Sequence, residues 1–299
     1  MESNLIYSTE FGQMFHEKAE DFLNQDQGKN LFGKINLIFT SPPFPLNRKK
    51  KYGNLIGKEY IDWFSSFASI FSELLTNDGS IVIEIGNSWE KGRPTMSTLG
   101  IETLLNFQKK GKLHLCQQFI WNNPAKLPSP AQWVNVERIR VKDGFTHVWW
   151  MSKVTKPKAS NRNVLKEYSP AMKKLLKTQK YNSGQRPSEH VIGDNSFLTN
   201  NKGSIPSNVL TVANTSSNSR YLNYCRERQI EPHPARMPIE LSKFFIKFLT
   251  NPNDLVFDPF AGSNTTGAAA EELGRKWISI EPNMEYIVGS KGRFNSVFE

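Results

Sequence analysis

Cysteine is scarce in this chain: Cys116 and Cys225 are the only two in 299 residues, and their contexts differ. That pattern supports neither a disulfide framework nor a Cys-rich zinc site, so no metal site is expected and a reducing cytoplasm is the expected compartment. No apolar run approaches the roughly 20 residues needed to span a bilayer. The first residues, Met1-Glu2-Ser3-Asn4, lack the basic flank and apolar stretch of a secretory signal. Glycine-rich phosphate loops are missing too. There is no G-x-G-x-x-G and no Walker lysine, which turns the reading away from dinucleotide and nucleoside-triphosphate sites. Acidic residues are outnumbered, 28 against 38 Lys and Arg, for a net charge of +10. The balance favours a polyanionic partner.

What is present is enough for a sizeable core. A hydrophobic content of 38% with 12% aromatics excludes global disorder, and the length suits one large domain or a domain with an insertion. The most informative segment is Thr40-Ser41-Pro42-Pro43-Phe44, directly after the apolar run Ile35–Phe39. The run reads as a buried strand, and two successive prolines end it because neither can donate to a sheet ladder. A stiff turn at the carboxyl end of a strand lies where open α/β sheets place their ligands. The Ser41 hydroxyl, the Pro42 carbonyl and the Phe44 ring suit a flat heterocycle bearing an exocyclic amine. An ordinary strand-ending loop would have the same residues, so the motif alone leaves both readings open.

Periodicity organises the rest. Residues 12–150 read as α/β, with strands near 13–16, 35–39, 81–85, 113–121 and 146–152, and helices near 18–24, 60–75 and 96–110. Asn77-Asp78-Gly79 reads as the stop of the 60–75 helix. From 153 to 221 the chain turns Lys-, Asn- and Ser-rich, with one helix at 170–176. The α/β pattern then resumes with a helix at 238–250, a strand at 255–258, a helix at 264–273, a strand at 277–281 and a final helix at 284–294. Three parts follow: residues 1–152, an inserted recognition region over 153–221, and 222–299. Basic residues cluster beside the first motif. Arg48, Lys49, Lys50 and Lys51 follow it, Arg138, Arg140 and Lys142 follow a Pro-rich loop, and eight lysines fall between Lys153 and Lys180.

A second motif runs from Val256 to Gly267, a strand, a tight turn and a helix start. Gly262 lets backbone approach a ligand, and Ser263, Asn264 or Thr265 can cap the helix. About twenty residues on, Glu281 ends a strand where it can accept from ribose hydroxyls. Without a phosphate loop, the arrangement points to a phosphate-free adenosyl cofactor, the alternative being a structural turn. His233-Pro234-Ala235-Arg236-Met237-Pro238 precedes this unit. Pro238 suits the first turn of the following helix, and the loop is placed either to touch the cofactor or to serve only as a structural connection.

Taken in order, these segments resemble a known family, the amino-methylating DNA methyltransferases of the circularly permuted class, and within it the PvuII-type cytosine-N4 group. The similarity lies in TSPPF with RKKKYGNL (48–55), EYIDWF (59–64), NPAKLPSP (123–130), RIRVKD (138–143), VWWMSK (148–153), GSIPSN (203–208), HPARMP and GSNTTG. It implies a class I S-adenosylmethionine-dependent methyltransferase fold, a mixed α/β sheet with helices on both faces. Ser41, Pro42, Pro43 and Phe44 would form the target-base site. Asp258, Phe260, Gly262, Ser263, Asn264 and Thr265 would form the cofactor turn, Glu281 would hold the ribose, and His233, Arg236 and Pro238 would complete the pocket. The 153–221 region would read double-stranded DNA, with Arg48 to Lys51, Arg138, Arg140 and Lys142 as phosphate contacts. The implied setting is a prokaryotic cytoplasm, at the nucleoid, with a cognate restriction endonuclease as possible partner.

Two positions depart from the family pattern. Glu17-Lys18 stands where Gly-Asp is common, which puts an adenine contact there in doubt. Glu84 stands where aspartate is expected, and it reads as a paired strand-end carboxylate, the alternative being an acceptor behind Ser41. Carbon-5 cytosine methylation is excluded, since it needs a Pro-Cys nucleophile and Leu115 and Tyr224 precede the two cysteines. Serine at the head of SPPF favours cytosine N4. Adenine N6 is the alternative, because a carboxylate or amide usually heads that motif in adenine enzymes. A catalytically silent DNA-binding protein on the same scaffold is the third reading.

Overall fold

A computed structural model describes residues 4–44, 55–195, 197–217 and 219–298. The chain begins with an antiparallel pair, Leu5–Ser8 (β1) and Gly12–His16 (β2). Two short helices, Ala19–Asn24 (α1) and Asp26–Lys29 (α2), lead to Ile35–Thr40 (β3). Gly57–Leu74 (α3) then runs without a break into Leu75–Gly86 (β4), so Asn77-Asp78-Gly79 lies inside a strand and does not form a separate stop. The helix expected from Met96 begins three residues later. Met96–Ser97 (β6) instead pairs with Ser88–Trp89 (β5), and Leu99–Lys110 (α4) follows. His114–Asn122 (β7) and Phe145–Ser152 (β8) are antiparallel, and the loop between them contains one π-helical turn at Gln132–Val136.

Residues 160–207 form a compact unit of their own. It holds Pro170–Thr178 (α5), whose first turn is capped by Ser169 Oγ accepting from Met172 N at 3.2 Å, and a short hairpin of Gly184–Gln185 (β9) and Val191–Ile192 (β10). None of the α5 residues is buried. The larger unit comprises residues 1–159 and 208–299. Its C-terminal part adds Val209–Thr211 (β11), Arg220–Glu227 (α6), Ile239–Leu249 (α7), Leu255–Asp258 (β12), Thr265–Glu272 (α8), Lys276–Glu281 (β13) and Met284–Ser290 (α9). Pro238 is the cap residue before α7 and not part of its first turn. The last helix stops at Ser290 and a 3-10 turn, Lys291–Arg293, completes the segment expected to be helical to Phe294.

Nine strands form one mixed sheet in the order β1-β2-β13-β12-β3-β4-β8-β7-β11. The five neighbours β2, β13, β12, β3 and β4 are parallel, whereas β8 is antiparallel to both β4 and β7. Parallel strands covered on both faces are continuously apolar, and β3 and β4 show it. Ile38 and Ile81 join the layer with Phe64, Phe71 and Phe107 of α3 and α4, whereas Leu37, Phe39 and Val82 face α7 and α8. Phe39 meets Phe245 of α7 at 5.4 Å between ring centroids, and Phe64 stacks on Phe107 at 5.0 Å. Burying each such side chain contributes about 1.5–3 kcal/mol relative to exposure, so β3 is anchored by apolar packing on both of its faces. The functional consequence is the β12–β3 pairing. A strand from the C-terminal quarter lies parallel beside one from the N-terminal quarter, and their carboxyl ends emerge together. Among the described residues no helix is long and apolar enough to cross a membrane.

Candidate active site

The turn after β3 is tied to the turn after β12. Thr40, fully buried at the end of β3, donates from Oγ1 to Asp258 Oδ1 at 2.7 Å across 218 residues of sequence. Asp258 Oδ1 also accepts from Phe260 N at 3.1 Å, which bends the chain directly after β12. Burial pushes the Asp258 carboxyl up to about 6, against the opposing hydrogen bonds from Thr40, Thr266 and Phe260. Thr40 carried no assigned role in the sequence. It clasps the two motifs together, and its hydroxyl would have been the only clue.

Gly262 has φ +52°, and its N–H donates to Glu281 Oε2 at 2.8 Å. The other Glu281 oxygen accepts from Asn283 N at 2.9 Å. Burial drives the Glu281 carboxyl up to about 7, opposed by those two backbone donors and reinforced by the Asp258 charge. A Cβ on Gly262 would come within 3.0 Å of His233 Nε2, so the His233 ring backs this turn. His233 is itself held by Tyr221, whose hydroxyl accepts from His233 N at 2.8 Å, and by Tyr286, whose ring meets it edge-on at 4.5 Å. Burial lowers the imidazole to about 4, so it is neutral near pH 7. Ser263 is fixed by Arg293, whose Nη2 donates to its Oγ at 2.8 Å.

These groups enclose a cavity of about 170 Å³. Ser41, Pro42, Pro43 and Phe44 line it together with Asp258, Phe260, Gly262, Ser263, Thr265 and Glu281. His233 and Arg236 also line it. Two expected cofactor residues do not. Asn264 is fully buried behind the turn, where it accepts from Gly267 N at 3.1 Å and from Ser279 Oγ at 2.8 Å and donates to Tyr7 at 3.1 Å. Its φ of +54° and its cap of α8 make it the turn's internal brace. Pro238, buried before α7, is likewise absent from this wall. Glu17 and Lys18 line no part of it either. Glu17 N donates to the Glu281 carbonyl at 3.2 Å, and Lys18 precedes α1.

A second cavity, about 220 Å³, adjoins the first. Ser41 and Phe44 line both, so they stand in the wall between them. Glu84, Trp121, Asn123, Lys126, Phe145 and Thr146 line the second cavity. Alternation along β4 puts Glu84 on the Val82 face near the strand's end, and its Oε2 accepts from Ser41 Oγ at 2.6 Å. Glu84 is therefore not the paired strand-end carboxylate that the sequence suggested. Among the described residues no ion pair reaches it, and it lies behind Ser41 as the acceptor of that hydroxyl. Burial raises its carboxyl above the ordinary range, opposed by the Ser41 and Thr146 hydroxyls and the Lys126 charge. Two residues later, Gly86 makes room for Phe44: a Cβ there would meet the Phe44 ring at 2.4 Å. No local pattern identifies Gly86, because its neighbour comes from another strand end.

The expected phosphate contacts divide. Arg138 is exposed. Arg140 stacks over Trp89 at 3.8 Å and donates to the Pro94 carbonyl, and Lys142 donates to the carbonyls of Pro124 and Lys126 at 3.2 and 3.3 Å. Arg140 thus ties this loop to the segment carrying β5 and β6, and Lys142 holds its own loop in shape. Arg48, Lys49, Lys50 and Lys51 lie outside the described residues.

A family model described as DNA methylase matches residues 35–291. The chain is 45% identical over 290 residues to the Type II methyltransferase M.PvuII of Proteus hauseri, covering 96% of this chain and 85% of that one. The solved structure of PvuII DNA methyltransferase (cytosine-N4-specific) matches with a TM-score of 0.79 at 39% identity, over 99% of this chain and 90% of that one. A shorter similarity, 54% identity over 59 residues and 20% of each chain, links it to the DNA adenine methyltransferase YhdJ of Escherichia coli.

Proposed function

The chain belongs to the DNA methylase family, and we propose that within it the protein methylates the exocyclic N4 amine of cytosine in double-stranded DNA, with S-adenosylmethionine as donor. The observation that carries this reading is Ser41, held by Glu84 at 2.6 Å in the wall between two adjoining cavities. One cavity suits a donor and the other a base.

The residues of the 170 Å³ cavity fit an adenosyl donor without phosphates. Two buried carboxyl groups, Asp258 and Glu281, line it. They favour a positively charged ligand and would repel a phosphate chain. The left-handed Gly262, without a side chain, lets the His233 ring close on the turn. Glu281 would hold the ribose hydroxyls, and the Gly262–Ser263 turn with His233 would border the methionyl part. When bound, this donor supplies a methyl group on a positively charged sulfur.

The chain's own part is to present the amine. The nitrogen lone pair of an aromatic amine is delocalised into the ring, so acceptors for its hydrogens that draw it toward tetrahedral geometry raise its reactivity. Ser41 Oγ donates its own proton to Glu84, which leaves its lone pairs available to the amine. The Pro42 carbonyl is the second acceptor, and Phe44 stacks on the base. The amine must shed one proton on methylation. Ser41 Oγ takes it while passing its hydroxyl proton to Glu84 Oε2, and burial raises the proton affinity of Glu84. No covalent intermediate is required, and positioning supplies most of the acceleration. The base reaches the cavity only by leaving the duplex, which costs a few kcal/mol. Cationic contacts to phosphate offset part of this cost and make binding salt-sensitive, in keeping with the net charge of +10. The 160–207 unit and its flanks are the proposed sequence reader. The setting is a prokaryotic cytoplasm, with a cognate endonuclease cutting the same unmodified site.

Incubation with methyl-labelled donor and unmodified plasmid tests the activity. Label should move to DNA, and label remaining wholly in the donor would refute the reading. Two further expectations follow from the geometry. Ribose hydroxyls would donate to ionised Glu281, so donor binding expels its proton. Affinity should therefore rise with pH through about 7 and level off above it. Titration calorimetry across pH 6–8 should show this rise in the wild type and only a weaker rise, confined to the Asp258 range near pH 6, in Glu281→Gln; an unchanged slope in the variant would assign it elsewhere. Gly86→Ala should push Phe44 out of the shared wall and lower methylation by about tenfold, as overpacking costs about 1–3 kcal/mol. A wild-type rate in steady-state assays of that variant would show that Phe44 need not sit there.

A further inference from the structure

We propose that Leu127 is the side chain that enters the duplex and fills the gap left by the extruded base, an inference that rests on the methyl-transfer reading of the Ser41 site. An unstacked step collapses unless something apolar replaces the lost base, and aliphatic wedges do this in proteins that deform DNA. Leu127 is 80% exposed and directly follows a residue of the base cavity's lining. The preceding residue, Lys126, lines that cavity together with Ser41 and Glu84.

The turn is rigid, as a wedge requires. Asn123 N donates to the Gly144 carbonyl at 2.8 Å, and Lys126 N donates back to the Asn123 carbonyl at 3.1 Å. Asn123 Oδ1 accepts from Ala125 N at 3.1 Å. From the opposite limb, Lys142 Nζ reaches the carbonyls of Pro124 and Lys126, and Asp143 pairs with Lys126 Nζ at 3.2 Å. Pro124 and Pro128 stiffen both sides of the turn. The exposed Arg138 on the same loop is the cation placed to meet a phosphate. This account gives a role to Leu127, which the methyl-transfer chemistry does not use.

Val141, 87% exposed on the returning limb, is the rival. Its neighbours Arg140 and Lys142 do not line the cavity, and its side chain is shorter. The test compares two duplexes bearing a site that the wild-type protein methylates. One is fully paired, and in the other the target base faces an abasic position, which removes the pairing that holds the base in the stack. Leu127→Ala should lose about tenfold or more in kcat/KM on the paired duplex and recover near wild-type rates on the abasic one. Val141→Ala should behave as wild type on both. Equal rates for Leu127→Ala and wild type on paired DNA, equal losses on both duplexes, or a selective loss in Val141→Ala instead, would overturn the assignment. Failure of the wild type to methylate any duplex would remove the methyl-transfer reading itself, and the wedge with it. Leu127 is solvent-exposed, so an unchanged thermal midpoint should accompany the kinetic change.

Discussion

Ser41→Ala should lower turnover on DNA by ~10²–10³-fold while leaving donor affinity near the wild-type value. The magnitude is that of removing one preorganised polar partner from a developing charge in a water-poor site. Ser41 Oγ is the only hydroxyl in TSPPF that faces the cavities, since Thr40 is fully buried against Asp258. Its replacement removes the acceptor for the amine and the link to Glu84 in one step. The Asp258, Gly262 and Glu281 contacts that border the donor cavity do not pass through Ser41. Single-turnover methylation and calorimetric donor binding, measured on the same preparation, separate the two effects. Equal losses in both would contradict a role for Ser41 on the base. Glu84 would lose one of its two hydroxyl partners, so a stability loss of about 1 kcal/mol is expected from thermal unfolding.

Gly262→Ala should show the reverse pattern. At φ +52° an L-residue with a Cβ is strained by about 1–2 kcal/mol. The new methyl would also sit 3.0 Å from His233 Nε2. The turn then either shifts, losing the Gly262 N–H bond to Glu281, or drives His233 off Tyr286. Either response deforms the donor cavity, so donor affinity should fall by roughly tenfold to a hundredfold, whereas DNA binding without donor should persist. Calorimetry reads the first and fluorescence anisotropy with a labelled duplex reads the second. His233→Ala added to Gly262→Ala should recover part of the affinity by relieving the contact but not the backbone strain. Wild-type donor affinity in the single variant would show that the turn does not hold the donor.

Much of the fold was legible because its central strands are short, continuous apolar runs. Ile35–Thr40 and Leu255–Asp258 stand at their expected places, since parallel strands buried on both faces leave an unmistakable pattern. Elements without such a pattern were not. The polar helix Arg220–Glu227 buries only Tyr221 and Cys225, and Val209–Thr211 buries one residue of three. Ser88–Trp89 and Met96–Ser97 form a ladder that no propensity would reveal.

In the site, local chemistry was visible and its long-range support was not. The SPPF turn and the Gly262 turn each carry their own signature. Which carboxylate backs Ser41 depends on β4 lying next to β3, so the sequence alone favours a paired strand-end Glu84 over the acceptor behind Ser41 that the fold makes of it. Nothing local marks Gly86, because the Phe44 ring that requires it comes from another strand end. Capping and binding residues share a composition, so Asn264 fits either role in the sequence; in the fold it is fully buried and accepts from Gly267 N. The same locality explains why adenine and cytosine were hard to separate. Both amines need acceptors at the same place, and only the identity of residue 41 distinguishes them within the motif.

The most direct measurement is therefore the chemical identity of the product. DNA methylated by the wild-type protein, digested to nucleosides and resolved by mass spectrometry, should contain N4-methylcytosine, and the Ser41→Ala preparation should yield little of it. Recovery of N6-methyladenine alone would contradict the central claim.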